Sequence, residues 1–404
     1  MTHTSVLDTN ILDTSGVESL LKGSLYSAIE HAYSIACWSQ PESTQWDILI
    51  DPEATILPAL ETPSLHHLES GYIIAPFKAN EKKYLIKNRI HIVVNDCIEY
   101  KVTDGYESIL DGIKAIYPTK IPSIHSLLKE SNESNTLSDH FYKEGVEQAK
   151  KMIANGTFQK VVLARSKTIH TSIANIHKTL LELRAAYPYS YITTFYHPEI
   201  GLWVIASPEL LLSTDATGTF KTVALAGTQA YNPNIPIREV SWTHKEIEEQ
   251  ALVSRYIIGC FKSIRLRDYI EQGPRTIQAG SLLHLKTEYT ANTNEVNMKE
   301  IGATMLQLLH PTSAVCGMPK NPALEFIQET EPFNRKFYSG YSGPVNINKE
   351  TSLFVTLRCA EIHAKGITLY AGAGITADSD PDKEFEETNL KMDVIGNAFR
   401  NLTI

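Results

Sequence analysis

Acidic side chains gather in two short segments, residues 243–250 (THKEIEEQ) and 380–388 (DPDKEFEET). Each segment is predicted to open a helix, and in each of them two glutamates stand three residues apart and therefore share one helix face. No His or Cys recurs beside them at a metal-ligand spacing, and a ligand set made of oxygen alone suits Mg²⁺ rather than zinc. The candidate ligands are Glu246, Glu249, Glu384 and Glu387.

Both acidic segments also have a purely structural explanation. Thr243 and Glu246 match the T-x-x-E pattern of a capping box. Asp380 suits an N-cap and Pro381 the first helical position, and acidic residues near a helix start are stabilised by the macrodipole. Spacing alone therefore leaves metal binding and helix capping open.

Composition excludes several classes of protein. The chain has 404 residues and a formal net charge of -9, so it lacks the basic footprint of a nucleic-acid-binding protein. No apolar run reaches the roughly 18 residues of a membrane span, and residues 1–10 lack the order of a signal peptide. The five cysteines form no CxxC pair, which argues against a disulfide framework or a thiolate metal site and predicts a cytoplasmic protein.

The elements that must position the carboxylates are short strands and a few polar helices. Apolar, β-branched runs such as residues 71–77 and 366–375 predict strands, and residues 82–94 predict one long strand or a hairpin bent near Asn88. A helix is predicted to begin after an N-cap at Ser138 and to end at Gly156.

Two further helices are predicted from about Thr243 to Lys262 and from Pro381 to the C-terminus. Strands and helices do not alternate regularly, so the fold class is α/β of the α+β kind, with large, mainly antiparallel sheet and outer helices. The polar residues 126–140 are predicted to be a linker. It separates residues 1–125, which complete the sheets, from the functional region at 141–400.

Ten segments, in order, together resemble the chorismate-utilising enzyme family, and isochorismate synthases most closely. They are residues 160–165, 207–212, 224–228, 245–249, 283–285, 310–317, 331–340, 356–358, 370–375 and 379–391. The resemblance implies the fold of anthranilate synthase component I, a two-layer β-sandwich with its site in a cleft between the sheets. It identifies residues 141–400 as the chorismate-binding region.

The resemblance also implies an isomerase that uses water and Mg²⁺ to move a hydroxyl from C4 of chorismate to C2. Water must lose a proton and the leaving hydroxyl must gain one, so the reaction needs a base and an acid. By similarity Lys160 is the base and Glu209 the acid. Lys160 must act as a neutral amine, and Glu209 must stay protonated through a raised pKa.

By similarity Glu249 and Glu387 hold the metal, with Glu246 and Glu384 bound directly or just behind them. Arg358 and Tyr338 are expected at the enolpyruvyl carboxylate, because the Arg fork makes two charge-assisted hydrogen bonds to one carboxylate. The other substrate-binding residues that the resemblance implies are Gly227, Thr228, His284, Gly372, Gly374 and Lys391.

Plainer roles exist for these residues. Lys160 and Glu209 could face solvent, Arg358 could pair with Glu361, and His284 could be a core histidine. Gly372 and Gly374 could form a simple turn, and Lys391 could pair with Glu387 four residues earlier in the same helix.

Three features favour the isochorismate synthase branch over its relatives. Lys160 is typical of the water-using branches, Ala226 cannot act as a nucleophile, and Ala314 with Val315 resembles a dedicated isochorismate synthase. Salicylate synthase, which adds pyruvate elimination, and a non-catalytic chorismate-binding module are the alternatives. Menaquinone and siderophore pathways both stay open, and a monomer or weak homodimer without nucleic-acid or membrane partners is expected.

Overall fold

The computed structural model describes residues 2–7, 14–58, 63–116, 124–128, 139–170, 175–292 and 300–400. The strands are β1 (Thr2–Leu7), β2 (Ser34–Ser39), β3 (Trp46–Asp51), β4 (Thr55–Leu57), β5 (Gly71–Ala75), β6 (Lys83–Lys87), β7 (Ile90–Val94), β8 (Ile98–Thr103), β9 (Lys160–His170), β10 (Tyr191–His197), β11 (Gly201–Ser207), β12 (Leu210–Thr214), β13 (Thr219–Ala230), β14 (Ile270–Ala279), β15 (Leu282–Asn292), β16 (Gly317–Met318), β17 (Tyr341–Val345), β18 (Thr351–Val355), β19 (Cys359–His363) and β20 (Gly366–Ile375). The helices are α1 (Thr14–Glu30), α2 (Glu107–Ile116), α3 (Asp139–Ala154), α4 (Ile176–Ala186), α5 (His244–Ser263), α6 (Ile301–Leu309), α7 (Lys320–Thr330) and α8 (Pro381–Arg400), with 3₁₀ turns at Leu65–His67, Ile124–Leu127 and Ile237–Glu239.

These strands form two sheets. The larger sheet has the order β1-β8-β7-β3-β2-β10-β11-β19-β20-β9-β16, and the smaller has the order β14-β15-β13-β12-β18-β17-β5-β6-β4. The strand pairs within both sheets are antiparallel, as the long register of β9 against β20 and of β13 against β15 illustrates. This confirms the predicted antiparallel two-sheet architecture.

The main core lies between the sheets. Aromatic residues of the larger sheet meet those of the smaller one, and the rings of Tyr191 and Phe354 stack with centroids 4.0 Å apart. The buried hydroxyl groups of Tyr72 and Thr193 lie 2.9 Å apart and join the two layers by a hydrogen bond. Inward-facing apolar side chains therefore come from both layers, as in a sandwich.

Helices cover the outer faces. On the larger sheet, α1, α4 and α8 bury Leu21, Leu180 and Ile395 in a second core. A third, smaller core lies under α3 and α7 against β9, around Val146 and Phe326. Among the described residues, none of the helices has both the length and the apolar run needed to cross a bilayer.

The helix predictions near the site are confirmed. Helix α3 ends just before Gly156, which has a φ of +75°, while Ser138 lies outside the described residues. Helices α5 and α8 begin at His244 and Pro381, as the capping patterns predict.

The prediction for residues 82–94 is wrong. Lys83–Lys87 and Ile90–Val94 are separate strands that belong to different sheets, because the chain crosses between the layers at Asn88 and Arg89. An apolar run in the sequence predicts a strand, but packing between distant parts of the chain decides which sheet that strand joins. Most of residues 126–140 lie outside the described part, so the linker stays a prediction.

Candidate active site

A cavity of about 480 Å³ opens between the two sheets and gathers many of the predicted site residues. Its lining comes from β13 and β15 of the smaller sheet, β20 of the larger sheet, helices α5 and α8, and the connecting loops. The predicted residues in the lining are Glu209, Gly227, Thr228, Glu249, His284, Tyr338, Arg358, Gly372 and Lys391.

Lys160 stands at the first position of β9 and is fully buried, so it does not face solvent. Its Nζ lies 3.0 Å from Oε1 of Glu249 on α5. Although burial alone would raise the pKa of Glu249, the ammonium groups of Lys160 and Lys245 bring it well below its ordinary value. The predicted base and a predicted metal ligand are therefore in direct contact.

Gly374 supplies the space for this contact. A Cβ atom at this position would lie 2.0 Å from Oε1 of Glu249 and 2.9 Å from Cε of Lys160. A side chain at residue 374 is therefore incompatible with the observed ion pair. An approach of its backbone N–H to a substrate carboxylate stays a prediction.

Glu209 lies where the chain leaves β11 of the larger sheet and enters β12 of the smaller one. Its backbone is fixed at both ends: its N–H donates to the Ser207 hydroxyl at 3.2 Å, and its carbonyl accepts from Val355 N–H at 3.0 Å. Its side chain is buried. Burial raises the pKa of Glu209 to about 8 against the lowering effects of Lys160, Arg358 and Lys391, so the acid is protonated at neutral pH.

The acidic face of α8 meets lysines from α5 and from α8 itself. Nζ of Lys245 lies 2.8 Å from Glu384 and 3.6 Å from Glu387. Nζ of Lys391 lies 2.6 Å from Glu387 and donates to the Gly372 carbonyl at 2.8 Å. Burial raises the pKa of Glu384, although Lys245 lowers it. The two carboxylates thus converge closely enough to share one cation.

Glu246 is used differently. Its carboxylate accepts hydrogen bonds from the backbone N–H and the hydroxyl of Thr243, which completes the capping box of α5. The structure therefore shows the capping role that spacing predicts. A metal-binding role for Glu246 stays a prediction.

Arg358 and His284 form a buried pair in the cavity. Nη2 of Arg358 lies 3.2 Å from Nε2 of His284, and Nδ1 of His284 lies 2.8 Å from the Gly227 carbonyl. Burial and the nearby Arg358 lower the pKa of His284 to about 3, so the ring is neutral. From its partners we assign the proton to Nδ1, leaving Nε2 to accept from Arg358.

Glu361 does not neutralise Arg358, since Glu361 pairs with Lys336 at 2.9 Å and with the Tyr370 hydroxyl at 3.0 Å. Within the described part of the chain, no carboxylate lies within 4.0 Å of the Arg358 guanidinium. Arg358 is thus a buried cation at the cavity wall, which suits an anionic ligand.

Two backbone features shape the wall around this pair. A β-bulge in β13 between Ala226 and Gln229 carries Gly227, with φ at +70°, and turns its carbonyl toward His284. The Thr228 hydroxyl lies 3.4 Å from Nδ1 of the same ring. The bulge explains why Gly227 and Thr228 reach the cavity from the middle of a strand.

Gly372 makes room for Tyr338, because a Cβ at residue 372 would lie 2.9 Å from the Tyr338 hydroxyl. Burial raises the pKa of Tyr338 to about 12, so this hydroxyl is a neutral hydrogen-bond donor. It is placed to reach a ligand in the cavity.

Sequence reasoning gave no role to Lys245, which the structure places among the carboxylates. The signal was present, since Lys245 precedes Glu249 by four residues and must share its helix face. The apolar wall was also largely missed. It consists of Val162, Leu225, Ala226, Ala314, Val315 and Leu357.

In chemical type the carboxylates suit the predicted Mg²⁺, but within the described residues Glu249, Glu384 and Glu387 do not bring three oxygen atoms within 4.8 Å of one another. Glu249, Glu384 and Glu387 are buried or nearly so, lie on facing helix starts and offer oxygen atoms alone. The Lys245 ammonium, shared by Glu384 and Glu387, already stands in for a cation there. Such a hard ligand set is the kind that Mg²⁺ takes, with waters completing its shell.

The chain is also similar in sequence to known proteins. Residues 77–400 match the family described as "Chorismate binding enzyme". The chain is 32% identical over 266 residues to isochorismate synthase EntC of Escherichia coli strain K12, covering 64% of this chain and 66% of that protein. It is 32% identical over 266 residues to isochorismate synthase DhbC of Bacillus subtilis strain 168, covering 62% and 65%. These alignments span just under two thirds of each relative.

The fold is also that of a solved relative. The structure of MenF, the menaquinone-specific isochorismate synthase from Escherichia coli, superposes with a TM-score of 0.74 at 21% identity, covering 99% of this chain and 94% of that one. Because the family match extends over residues 77–400 and includes the cavity, the chain belongs to the family of chorismate-binding enzymes.

Proposed function

We propose that this chain is an isochorismate synthase, an isomerase that adds water at C2 of chorismate and expels the C4 hydroxyl. The observation that carries the proposal is the state of Glu209. Its pKa of about 8 keeps a carboxylic acid protonated in a cavity whose other carboxylate, Glu249, is ionised beside Lys160. Two carboxyl groups with opposite protonation in one cavity are typical of acid–base catalysis.

Lys160 and Glu209 divide the proton transfers in this proposal. Glu209 donates its proton to the oxygen that leaves C4, and Lys160 takes the proton of the water that attacks C2, a step that requires Lys160 to lose its own proton first and so to leave the ion pair with Glu249. Both side chains are buried, which excludes competing bulk water and strengthens each electrostatic interaction. The protons lost and gained balance over one turnover.

Arg358 and Tyr338 orient the substrate. Arg358 is a buried cation without a carboxylate partner in the described chain, and Tyr338 is a buried neutral donor. Together they offer charge-assisted and neutral hydrogen bonds to the enolpyruvyl carboxylate. His284 holds the guanidinium plane through the contact at 3.2 Å, and Lys391 is placed to approach the ring from the opposite helix.

Glu249, Glu384 and Glu387 would hold Mg²⁺, and Lys245 would remain close to them as a fourth group. The metal, when bound, would neutralise the ring carboxylate of chorismate. The chain's own contribution is to hold each of these three carboxylates in place without a ligand, through the pairs with Lys160, Lys245 and Lys391.

Incubation of the purified protein with chorismate and Mg²⁺, followed by chromatography, tests the activity. Isochorismate formed without ammonia supports the proposal. Salicylate would instead indicate a salicylate synthase, anthranilate formed only with ammonia would indicate an anthranilate synthase, and unchanged chorismate would indicate a binding module. The Lys160→Ala variant should bind chorismate and yet form no product.

We further place the reaction in the cytoplasm and expect a monomer or a weak homodimer. The described cysteines are all free, and all of them except Cys97 are buried, which is compatible with a reducing compartment. Sedimentation velocity at several protein concentrations measures the oligomeric state.

A further inference from the structure

A second cavity lies on the other side of the loop that walls the active site. It holds about 990 Å³ of empty space, part of it open to solvent, and shares no lining residue with the active-site cavity. Residues 77–83, between β5 and β6, form one side, and helices α6 and α7 form the other. His310 and Pro311 line it, while Ala314 and Val315 of the same loop line the active site.

The second cavity is positively charged. Three lysines line it, Lys78, Lys83 and Lys320, and none of the described residues in its lining is an Asp or Glu. Nζ of Lys83 donates to the Ala79 carbonyl at 2.8 Å, and Nζ of Lys320 donates to the His310 carbonyl at 2.5 Å. Lys78 lies at the rim, 3.9 Å from Glu81.

The charges of Lys83 and Lys320 both act on the His310 ring. Burial lowers the pKa of each lysine. Burial, followed by both lysines, also lowers the pKa of His310 to about 3, so their charges converge on one imidazole. In the described residues no carboxylate lies within 4.0 Å of the Lys320 ammonium. The Lys320 ammonium, held partly out of water, would be stabilised by an anion beside it.

A polar group without a partner also lines this cavity. Tyr341, the first residue of β17, lines the cavity and is 1% exposed. Its hydroxyl has no hydrogen-bond partner among the residues that the structure describes. Buried hydroxyl groups are normally satisfied, and one that is not marks a place where a ligand or water completes the network.

The remaining surface is apolar. Phe77, Leu306, Pro311 and Leu324 supply it, and the Phe77 ring is fixed from behind by the Arg335 guanidinium at 4.4 Å. A ligand that satisfies both parts of the cavity carries one anionic group and one apolar ring or chain.

We propose that this second cavity binds a small organic carboxylate, with its carboxylate at Lys83, Lys320 and Tyr341 and its apolar body against Phe77 and Leu324. The occupant would lie against the loop whose other face walls the active site. The site is independent of the proposed reaction, since it uses none of the groups that act on chorismate.

Calorimetric titration of the full chain with benzoate, without Mg²⁺ or chorismate, tests the proposal. Benzoate should bind the wild type, and Lys320→Gln should weaken it about tenfold or more because a charge-assisted contact is lost. Arg358→Gln, which alters the active-site cavity, should leave this binding unchanged. Benzyl alcohol, without the charge, and inorganic phosphate, without the apolar body, should each bind at least about tenfold more weakly than benzoate.

Tyr341→Phe guards against a folding defect in Lys320→Gln. It removes a hydroxyl that has no protein partner, so the variant should fold normally while benzoate affinity falls about threefold to tenfold. Absence of benzoate binding to the wild type at millimolar concentration would overturn the proposal. So would binding that Arg358→Gln abolishes and Lys320→Gln spares, or phosphate binding as tight as that of benzoate.

Discussion

Lys160, which is fully buried, forms an ion pair with Glu249 at the cavity wall, with Nζ 3.0 Å from Oε1. The strand that carries the proposed base thus contacts the helix that carries a proposed metal ligand, so neither side chain is placed independently of the other. Gly374 on the neighbouring strand leaves the space that both of them fill. The proposed base and the proposed metal site are therefore built as one unit.

Gly374→Ala should disrupt this unit. The added Cβ would lie 2.0 Å from Glu249 Oε1, and a displacement of about 1 Å at a reacting group costs about a hundredfold in rate. We expect isochorismate formation to fall at least about a hundredfold, measured by initial rates. The matched control is Gly259→Ala on the exposed side of α5, where a Cβ meets nothing within 4 Å.

The control variant should keep full activity and gain about 0.5–1 kcal/mol in the free energy of unfolding, since Ala is the better helix former. Full activity of Gly374→Ala would show that the Lys160–Glu249 contact is not needed for turnover. Thermal melts of both variants separate a local effect from loss of the fold.

The rate should depend on the protonation of Glu209. Burial raises its pKa to about 8, so the acid is present below that pH and lost above it. We expect kcat/KM to fall tenfold per pH unit on the alkaline side of about pH 8. Glu209→Gln should reduce kcat about a hundredfold to ten-thousandfold. A variant that keeps the wild-type rate would remove Glu209 from the acid role.

Arg358→Lys should weaken substrate binding. Arg358 is buried, with its backbone φ at +47°, and His284 holds one edge of its guanidinium. Lysine keeps the charge but cannot make two parallel hydrogen bonds, so KM for chorismate should rise about tenfold to a hundredfold with a smaller change in kcat. Arg238→Lys, at a highly exposed position, should match the wild type, and an unchanged KM in Arg358→Lys would contradict the assignment.

Substitution of Glu249 should weaken metal binding, whereas substitution of Glu246 should leave it nearly unchanged. Glu246→Gln retains a carbonyl oxygen that can accept from Thr243, whereas Glu249→Gln removes a buried ionised ligand. Titration with Mn²⁺, followed by electron paramagnetic resonance, should give near-normal binding for Glu246→Gln and at least about tenfold weaker binding for Glu249→Gln. Equal losses in both variants would place Glu246 among the metal ligands.

Local patterns predicted the parts of the fold that depend on local physics. The caps at Thr243 and Asp380 set the starts of α5 and α8, and three-residue spacing put Glu384 and Glu387 on one face. Sheet membership was not predictable, because nothing in residues 82–94 records that β6 and β7 join different layers. That choice depends on long-range packing.

The site also combines features that the sequence predicted with features that depend on long-range packing. Resemblance to a family identified Lys160, Glu209 and Arg358. The structure places Glu209 and Arg358 in the lining of one cavity, and Lys160 against the lining residue Glu249. The ion pairs of Lys160 and Lys245 with carboxylates on separate helices join residues that are distant in sequence, and the bulge at Gly227 is a register shift between two strands. Such contacts leave no periodic signal in a single sequence.

The central claim is that Lys160 and Glu209 move a hydroxyl by adding one water and releasing another. Chorismate should therefore be converted in water enriched in oxygen-18, and the product should be analysed by mass spectrometry. Isochorismate with one labelled oxygen at C2, formed by the wild type and absent with Lys160→Ala, is the predicted result. Isochorismate without label, or labelled product from Lys160→Ala at the wild-type rate, would contradict the account.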